Sequence, residues 1–150
     1  MKTAKDLITE ALKHVGEEYI FGADVPFDKP TYKGPWDCAE FCSWVTYQIA
    51  GIVVGCTDNS ASITKLEPYS GGWYRDGMAS ARRVSYDVAV NTPGAVFVRK
   101  PIPGRAGHVA FSQGNGKTIE AMDSRRDVTE GNPAHRVWNV CFLIDGVEYV

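Results

Sequence analysis

The sequence carries no surplus of positive charge: 16 Lys and Arg face 18 Asp and Glu, for a formal net charge of −2. A chain without a basic excess has little with which to neutralise a phosphate backbone, which argues against electrostatically driven nucleic-acid binding. Long apolar runs are missing too. No stretch approaches the roughly 20 apolar residues of a membrane span. The opening run, MKTAKDLITEALKHVG, lacks the continuous apolar region of a secretory signal. Cysteine is sparse. Cys38, Cys42, Cys56 and Cys141 are too few for a disulfide-stapled domain. Cys38 and Cys42 are separated by three residues, but no second close Cys or His pair completes a structural zinc site. No metal or other cofactor is therefore expected. What is present is 150 residues, 44% hydrophobic and 23% charged, a composition that predicts one domain over 1–150 with a sizeable core.

Apolar residues at Ala4, Leu7, Ile8, Ala11, Leu12 and Val15 predict an amphipathic helix over 3–16. Thr3 with Asp6 forms a capping-box pattern, and Gly16 is placed as a stop. His14 falls in the last turn, where a cation favours the helix dipole, and reads as structural. Residues 17–36 are irregular and rich in aromatics, including Tyr19, Phe21, Phe27, Tyr32 and Trp36. A loop of this length serves a cleft or covers a core, and the residues alone do not separate the two. A second helix is predicted from Cys38 to Ala50, with Asp37 as N-cap and Gly51 as stop. Further on, Ser60–Leu66 reads as a short helix and Gly71–Tyr74 as a turn with an aromatic anchor. Short β-branched runs at Ala95–Arg99, His108–Ser112, Lys117–Ala121 and Val137–Ile144 predict strands. Gly114-Asn115-Gly116 predicts a hairpin between the second and third of these. Helices first and a mainly antiparallel sheet afterwards make an α+β domain.

Four cysteines and three histidines (His14, His108 and His135) make twelve possible thiol–imidazole pairs, so local context must choose among them. The thiolate is the reactive form of cysteine, and a helix N-terminus favours it. Cys38 alone of the four stands at a predicted helix start. Cys42 lies one turn further in and reads as a packed core residue. Cys141 sits inside an apolar strand, and Cys56 lies in a loop with no anchoring pattern. His108 opens a strand and so has a rigid base at the rim of a cleft. His135 reads as an exposed turn residue. A catalytic imidazole needs a partner on its other ring nitrogen. Glu120, on the next strand, is the candidate. If a tight turn sets Ser112 opposite Lys117, Glu120 falls near Val109 or His108. The alternative for Glu120 is a solvent-facing strand position.

These residues form a pattern. D-C-A-E-F at 37–41, G-H-V-A-F at 107–111 and G-N-G-K-T-I-E-A at 114–121 resemble, in order and spacing, the NlpC-type cell-wall peptidases, a papain-like thiol peptidase family. The run G-E-E-Y-I-F-G at 16–22 is similar to that family's Tyr-containing segment ahead of the Cys. The resemblance implies hydrolysis of a peptide bond in bacterial peptidoglycan, commonly between D-γ-glutamyl and a diamino acid. It implies Cys38 as nucleophile, His108 as general base and Glu120 as the orienting group, with Tyr19, Asp37 and Ser60 at the substrate and no cofactor. Its partners would be cell-wall peptides, with no nucleic acid and no membrane. Such a protein would be made in the cytoplasm and act on the wall. Glu in the third position resembles a branch that includes phage lysins and the CHAP amidases, which implies a phage-encoded or virion-associated origin. Three further readings stand beside the endopeptidase: a CHAP-like N-acetylmuramoyl-L-alanine amidase, a catalytically silent wall-binding module, and a thiol acyltransferase on the same fold. Glu40 departs from the pattern, standing where the family commonly has Gly.

Overall fold

The computed structural model describes residues 2–150. Helix α1 spans Ala4–Leu12. Thr3 caps it, accepting from the Asp6 N–H, while the Asp6 carboxylate accepts from the Thr3 N–H, a complete capping box. The helix stops a turn earlier than the apolar stripe predicts, so His14 lies beyond its end rather than in its last turn. Tertiary contacts account for this. His14 Nδ1 meets Glu17 at 2.7 Å and Nε2 meets Glu10 at 2.8 Å, and its ring stands edge-on to Trp36, Phe41 and Trp44.

Helix α2 spans Cys38–Ala50, as its caps predict. Asp37 accepts from the Glu40 N–H at 2.8 Å, and Gly51 closes the helix with φ 71°, donating to the Tyr47 carbonyl. A 3₁₀ turn at Ile63–Lys65 stands where a short α-helix is predicted. Helix α3, Ser70–Ala79, replaces the turn predicted around Gly71 and Gly72. Here glycine serves close approach rather than a turn: a Cβ on Gly72 would lie 2.4 Å from the Gly55 carbonyl oxygen. The neighbouring Trp73 is fully buried and donates its indole N–H to Ser43. Strand β1 (Arg83–Val84) and helix α4 (Tyr86–Val90) follow.

The remaining strands are β2 (Val96–Arg99), β3 (His108–Ser112), β4 (Thr118–Asp123), β5 (Asp127–Gly131) and β6 (Val140–Phe142). With β1 they form one antiparallel six-stranded sheet in the order β1-β6-β2-β3-β4-β5. The architecture is α+β. Alternation along the strands divides the side chains between two cores. Val96, Val98, Val109, Phe111, Ile119 and Ala121 join α1 and α2 in the larger one. Phe97 and Cys141 pack with Ala89 of α4 and Trp138 in the smaller. No helix among the described residues is long and apolar enough to cross a membrane.

The hairpin between β3 and β4 differs from expectation by one residue. Gln113 and Lys117 close the turn, so Ser112 pairs with Thr118 and Phe111 with Ile119. A one-residue change of register turns every side chain to the other face. It sets Glu120 on the His108 side of the sheet, alternating with the core residues Ile119 and Ala121.

Candidate active site

A cleft of about 720 Å³ runs between the start of α2 and the rim of β2 and β3; Tyr19, Asp37, Cys38, Glu40, Ser70, Arg99 and His108 are among its lining residues. Cys38 is the first residue of α2 and is 8% exposed. Its backbone N–H belongs to the helix's first turn, whose donors have no partner within the helix. Two residues before Cys38, Trp36 ends the 17–36 segment and anchors the helix start. Trp36 is fully buried, donates its indole N–H to Glu17 and stands edge-on to Phe41 and Trp44. That segment does both jobs the sequence left open: Val25, Phe27 and Trp36 seal the core, while Tyr19, Phe21 and Asp24 line the cleft.

His108 opens β3. Gly107 before it permits close contact with α3, since a Cβ there would lie 2.3 Å from Ser70 Oγ. Nε2 of His108 meets Oε1 of Glu120 at 2.6 Å, which leaves Nδ1 as the ring nitrogen free to serve the sulfur. Burial would lower the His108 pKa, but hydrogen bonds to Cys38 and Glu120 and their charges outweigh it, raising it to about 9. The imidazole therefore holds its proton through neutral pH.

Glu120 is fully buried, and its carboxylate is gripped from several directions. Arg136 donates from Nη2 to Oε1 at 2.7 Å and from Nη1 to Oε2 at 3.0 Å, a bidentate fork. The Thr118 hydroxyl donates to Oε2. Burial pushes the Glu120 pKa up, but the bonds to His108 and Arg136 win and bring it down to about 2. Arg136 in turn lies over the Trp138 ring, whose centre is 6.2 Å from that of His108. Sequence reasoning did not find Arg136, Thr118 or Trp138. Arg136 lies in the irregular stretch after β5, and no spacing rule links it to Glu120.

Asp37 lines the cleft beside Cys38. Burial raises its pKa to about 6, against backbone N–H bonds from Glu40, Gly22 and Ala39 that lower it. Burial also raises the Tyr19 pKa, with Cys38 and Asp37 adding to the effect, so its hydroxyl stays protonated. Tyr19 is held by its backbone N–H, which donates to Asp127 at 3.0 Å. Ser60 is not brought to the cleft. It is exposed, and its hydroxyl is bound to Asp58 at 2.6 Å. His135 is exposed as expected, in a left-handed turn with φ 62°. Cys42 is fully buried, and Cys141 is buried in β6. Cys56, read from the sequence as a loop residue without anchors, is fully buried as well. Among the described residues no group of three or more His, Cys, Asp or Glu is placed to hold a metal ion.

Glu40 is 6% exposed, and its Oε2 has no hydrogen-bond partner among the described residues. Burial raises its pKa to about 9, with Asp37 and Asp24 adding to the shift. The folded state thus keeps a proton that the unfolded chain loses near its ordinary value of 4.5. Stability contributed by the neutral carboxyl is full below about pH 4.5 and is lost as pH rises through about 9. Glu40→Gln, neutral at every pH, is expected to raise the melting temperature more at pH 8 than at pH 5, by about 8 °C or more. Thermal melts at the two pH values check this; an equal change at both would contradict it.

No family model matches the sequence, and no curated protein matches it either. Solved structures do match. The chain superposes on the NlpC/p60 domain of the peptidoglycan hydrolase SagA with a TM-score of 0.62 and 18% identity, covering 95% of this chain and 99% of that one. With the P60 domain of an antigen from M. avium subspecies paratuberculosis the values are 0.65 and 20%, over 94% and 93% of the two chains. With the peptidoglycan hydrolase RipB from Mycobacterium tuberculosis they are 0.64 and 20%, over 97% of this chain and 65% of that one. The fold is that of an NlpC/p60 domain.

Proposed function

We propose that this protein is a cysteine peptidase that hydrolyses an amide bond in the stem peptide of bacterial peptidoglycan, between D-γ-glutamyl and a diamino acid. One observation carries the reading above the rest. The imidazole of His108 is held at 2.6 Å by the fully buried carboxylate of Glu120, and it lines one cleft together with a cysteine at a helix N-terminus. The NlpC/p60 fold, carried by the peptidoglycan hydrolases SagA and RipB, supports the choice of substrate.

In the reacting pair the Cys38 proton passes to His108, so attack starts from sulfur beside an imidazolium. Sulfur adds to the amide carbonyl, and the Cys38 N–H at the helix start donates to the oxyanion, a stabilisation typically worth about 3 kcal/mol per donor. His108 Nδ1 then gives its proton to the leaving amine as the C–N bond breaks, leaving a thioester on Cys38. The same nitrogen, now unprotonated, takes a proton from water, whose oxygen attacks the thioester and releases the acid. Glu120 keeps the ring oriented and supports its charge throughout. Incubation with defined muropeptides, read by mass spectrometry, tests the proposal. Fragments split after γ-glutamate are expected. Release of peptides beginning with L-Ala from intact wall would replace it with an amidase, and binding to sacculi without any soluble product would replace it with a wall-binding module.

Asp37 is assigned to the free α-amino group of a trimmed stem peptide, with Tyr19 shaping the same pocket. Asp37→Asn is expected to lower the preference for amine-terminated over amine-blocked peptides by about tenfold. In the wild type that preference fades as pH falls through about 6, where Asp37 takes up its proton. Competition between the two peptides at pH 5 and pH 7.5 measures both effects; an unchanged ratio would remove Asp37 from the role.

A further inference from the structure

We propose that Arg99 forms a carboxylate-binding subsite for the leaving-group half of the substrate. The inference rests on the hydrolase reading for its direction. The general acid must stand on the side of the departing amine, so the leaving segment passes over His108 and meets whatever lies beyond it.

What lies beyond is Arg99. It ends β2 directly opposite His108 in the antiparallel register, and directly opposed residues of such a pair project from the same face. Arg99 and His108 line both the main cleft and a second bay of about 650 Å³ beside it, so the guanidinium stands where the two join. Its hydrogen bonding is incomplete. Nη2 donates to the Ala106 carbonyl at 3.1 Å, while the buried Nε has no partner among the described residues.

The carboxylates nearby are already engaged. Glu120 is taken by His108 and Arg136. Of the two that line the bay, Asp123 is paired with Arg126 at 2.8 Å and Glu130 with Lys117 at 3.7 Å. Arg99 has no carboxylate within ion-pair range among the described residues. Burial lowers its pKa, and the charges of Arg105 and Arg136 lower it further. Two other guanidiniums thus add to the positive potential around it. A planar guanidinium without a counter-ion, at the mouth of a cleft, suits a carboxylate, which can accept two N–H bonds from it. The lining of the main cleft also carries the carboxylates of Asp24, Asp37 and Glu67, none of which lines the second bay. The cleft is therefore polarised, and it fits a peptide with an amine on its acyl side and a carboxylate on its leaving side.

The test uses one peptide in two forms, L-Ala-γ-D-Glu-diamino acid with a C-terminal carboxylate and the same peptide as its carboxamide. Binding is measured by calorimetry on Cys38→Ala, and turnover on the wild type. The carboxylate form is expected to bind at least about tenfold more tightly than the amide, as a charged hydrogen bond allows. Adding Arg99→Gln is expected to bring the ratio near one. Arg99→Lys keeps the charge and loses the fork, and is expected to give an intermediate ratio. Melting curves confirm that each variant folds. Equal binding of acid and amide, binding of neither, or a preference that survives Arg99→Gln would overturn the subsite whatever the turnover. Carboxylate preference that depends on Arg99, with no cleavage by the wild type, would overturn the hydrolase reading and leave the subsite standing.

Discussion

Replacing Cys38 with alanine is expected to lower peptide hydrolysis by about 10⁴-fold or more, because the step that forms the thioester is lost. The fold is expected to persist. Position 38 lies in the first turn of α2, alanine suits a helix, and the cap is made by Asp37 rather than by the thiol. Alkylation provides an independent route to the same result. Cys42, Cys56 and Cys141 are buried, and burial raises each of their pKa values, for Cys56 to about 12 and for Cys141 to about 11. Cys38 alone of the four lines the main cleft. One equivalent of iodoacetamide on the native protein is therefore expected to label Cys38 and abolish turnover. Labelling elsewhere with activity lost would contradict the assignment.

The second large effect concerns the charges behind His108. Glu120→Ala strips a buried carboxylate from His108 and Arg136 together. Breaking a buried pair by removing one partner costs about 3–5 kcal/mol, so the variant is expected to melt well below the wild type. Its turnover is expected to fall about 10²–10⁴-fold, the range that general acid–base catalysis typically contributes. Glu120→Gln separates folding from chemistry. It keeps the shape and one acceptor but lets the His108 pKa fall toward its ordinary value, so the alkaline limb of kcat/KM moves to lower pH. Arg136→Gln acts in the opposite sense. Glu120 then offers its whole charge to His108, and the same limb moves to higher pH. Displacement of both limbs in one direction would show that Arg136 does not act through Glu120.

The pair also sets how stability varies with pH. His108 is raised to about 9, so its contribution is present below its ordinary value of 6.5 and lost as pH rises through about 9. Glu120 is lowered to about 2, so its contribution is present above 4.5 and lost as pH falls through about 2. The two together favour the folded state most strongly between about pH 4.5 and 6.5.

Helix α2 was legible in the sequence to the residue, because its start and stop depend on local chemistry: a carboxylate at Asp37 that caps free N–H groups, and a glycine at 51 that takes a left-handed conformation. The β3–β4 hairpin was legible for the same reason. Its register was not. A turn closed by Gln113 and Lys117 differs from the tighter one by a single residue, and that residue decides which face Glu120 occupies. Gly71 and Gly72 misled because glycine signals a turn locally, whereas here it makes room for α3 against Gly55, a contact visible only in three dimensions. Arg136 was out of reach for a similar reason. It meets Glu120 across 16 positions of chain, from a stretch with no periodicity. The relation of Arg99 to His108 came within reach only once β2 and β3 were paired in register. Ser60 shows the converse, since a loose likeness of sequence carried it to a site that the fold does not build there.

The most direct test of the account is to trap the thioester. Wild-type protein mixed with a cleavable stem peptide and quenched in acid within milliseconds to seconds is expected to gain the mass of the acyl fragment, mapped by peptide digestion to Cys38 and absent from Cys38→Ala. Product formed at the wild-type rate by Cys38→Ala, or an adduct carried on any other residue, would contradict it.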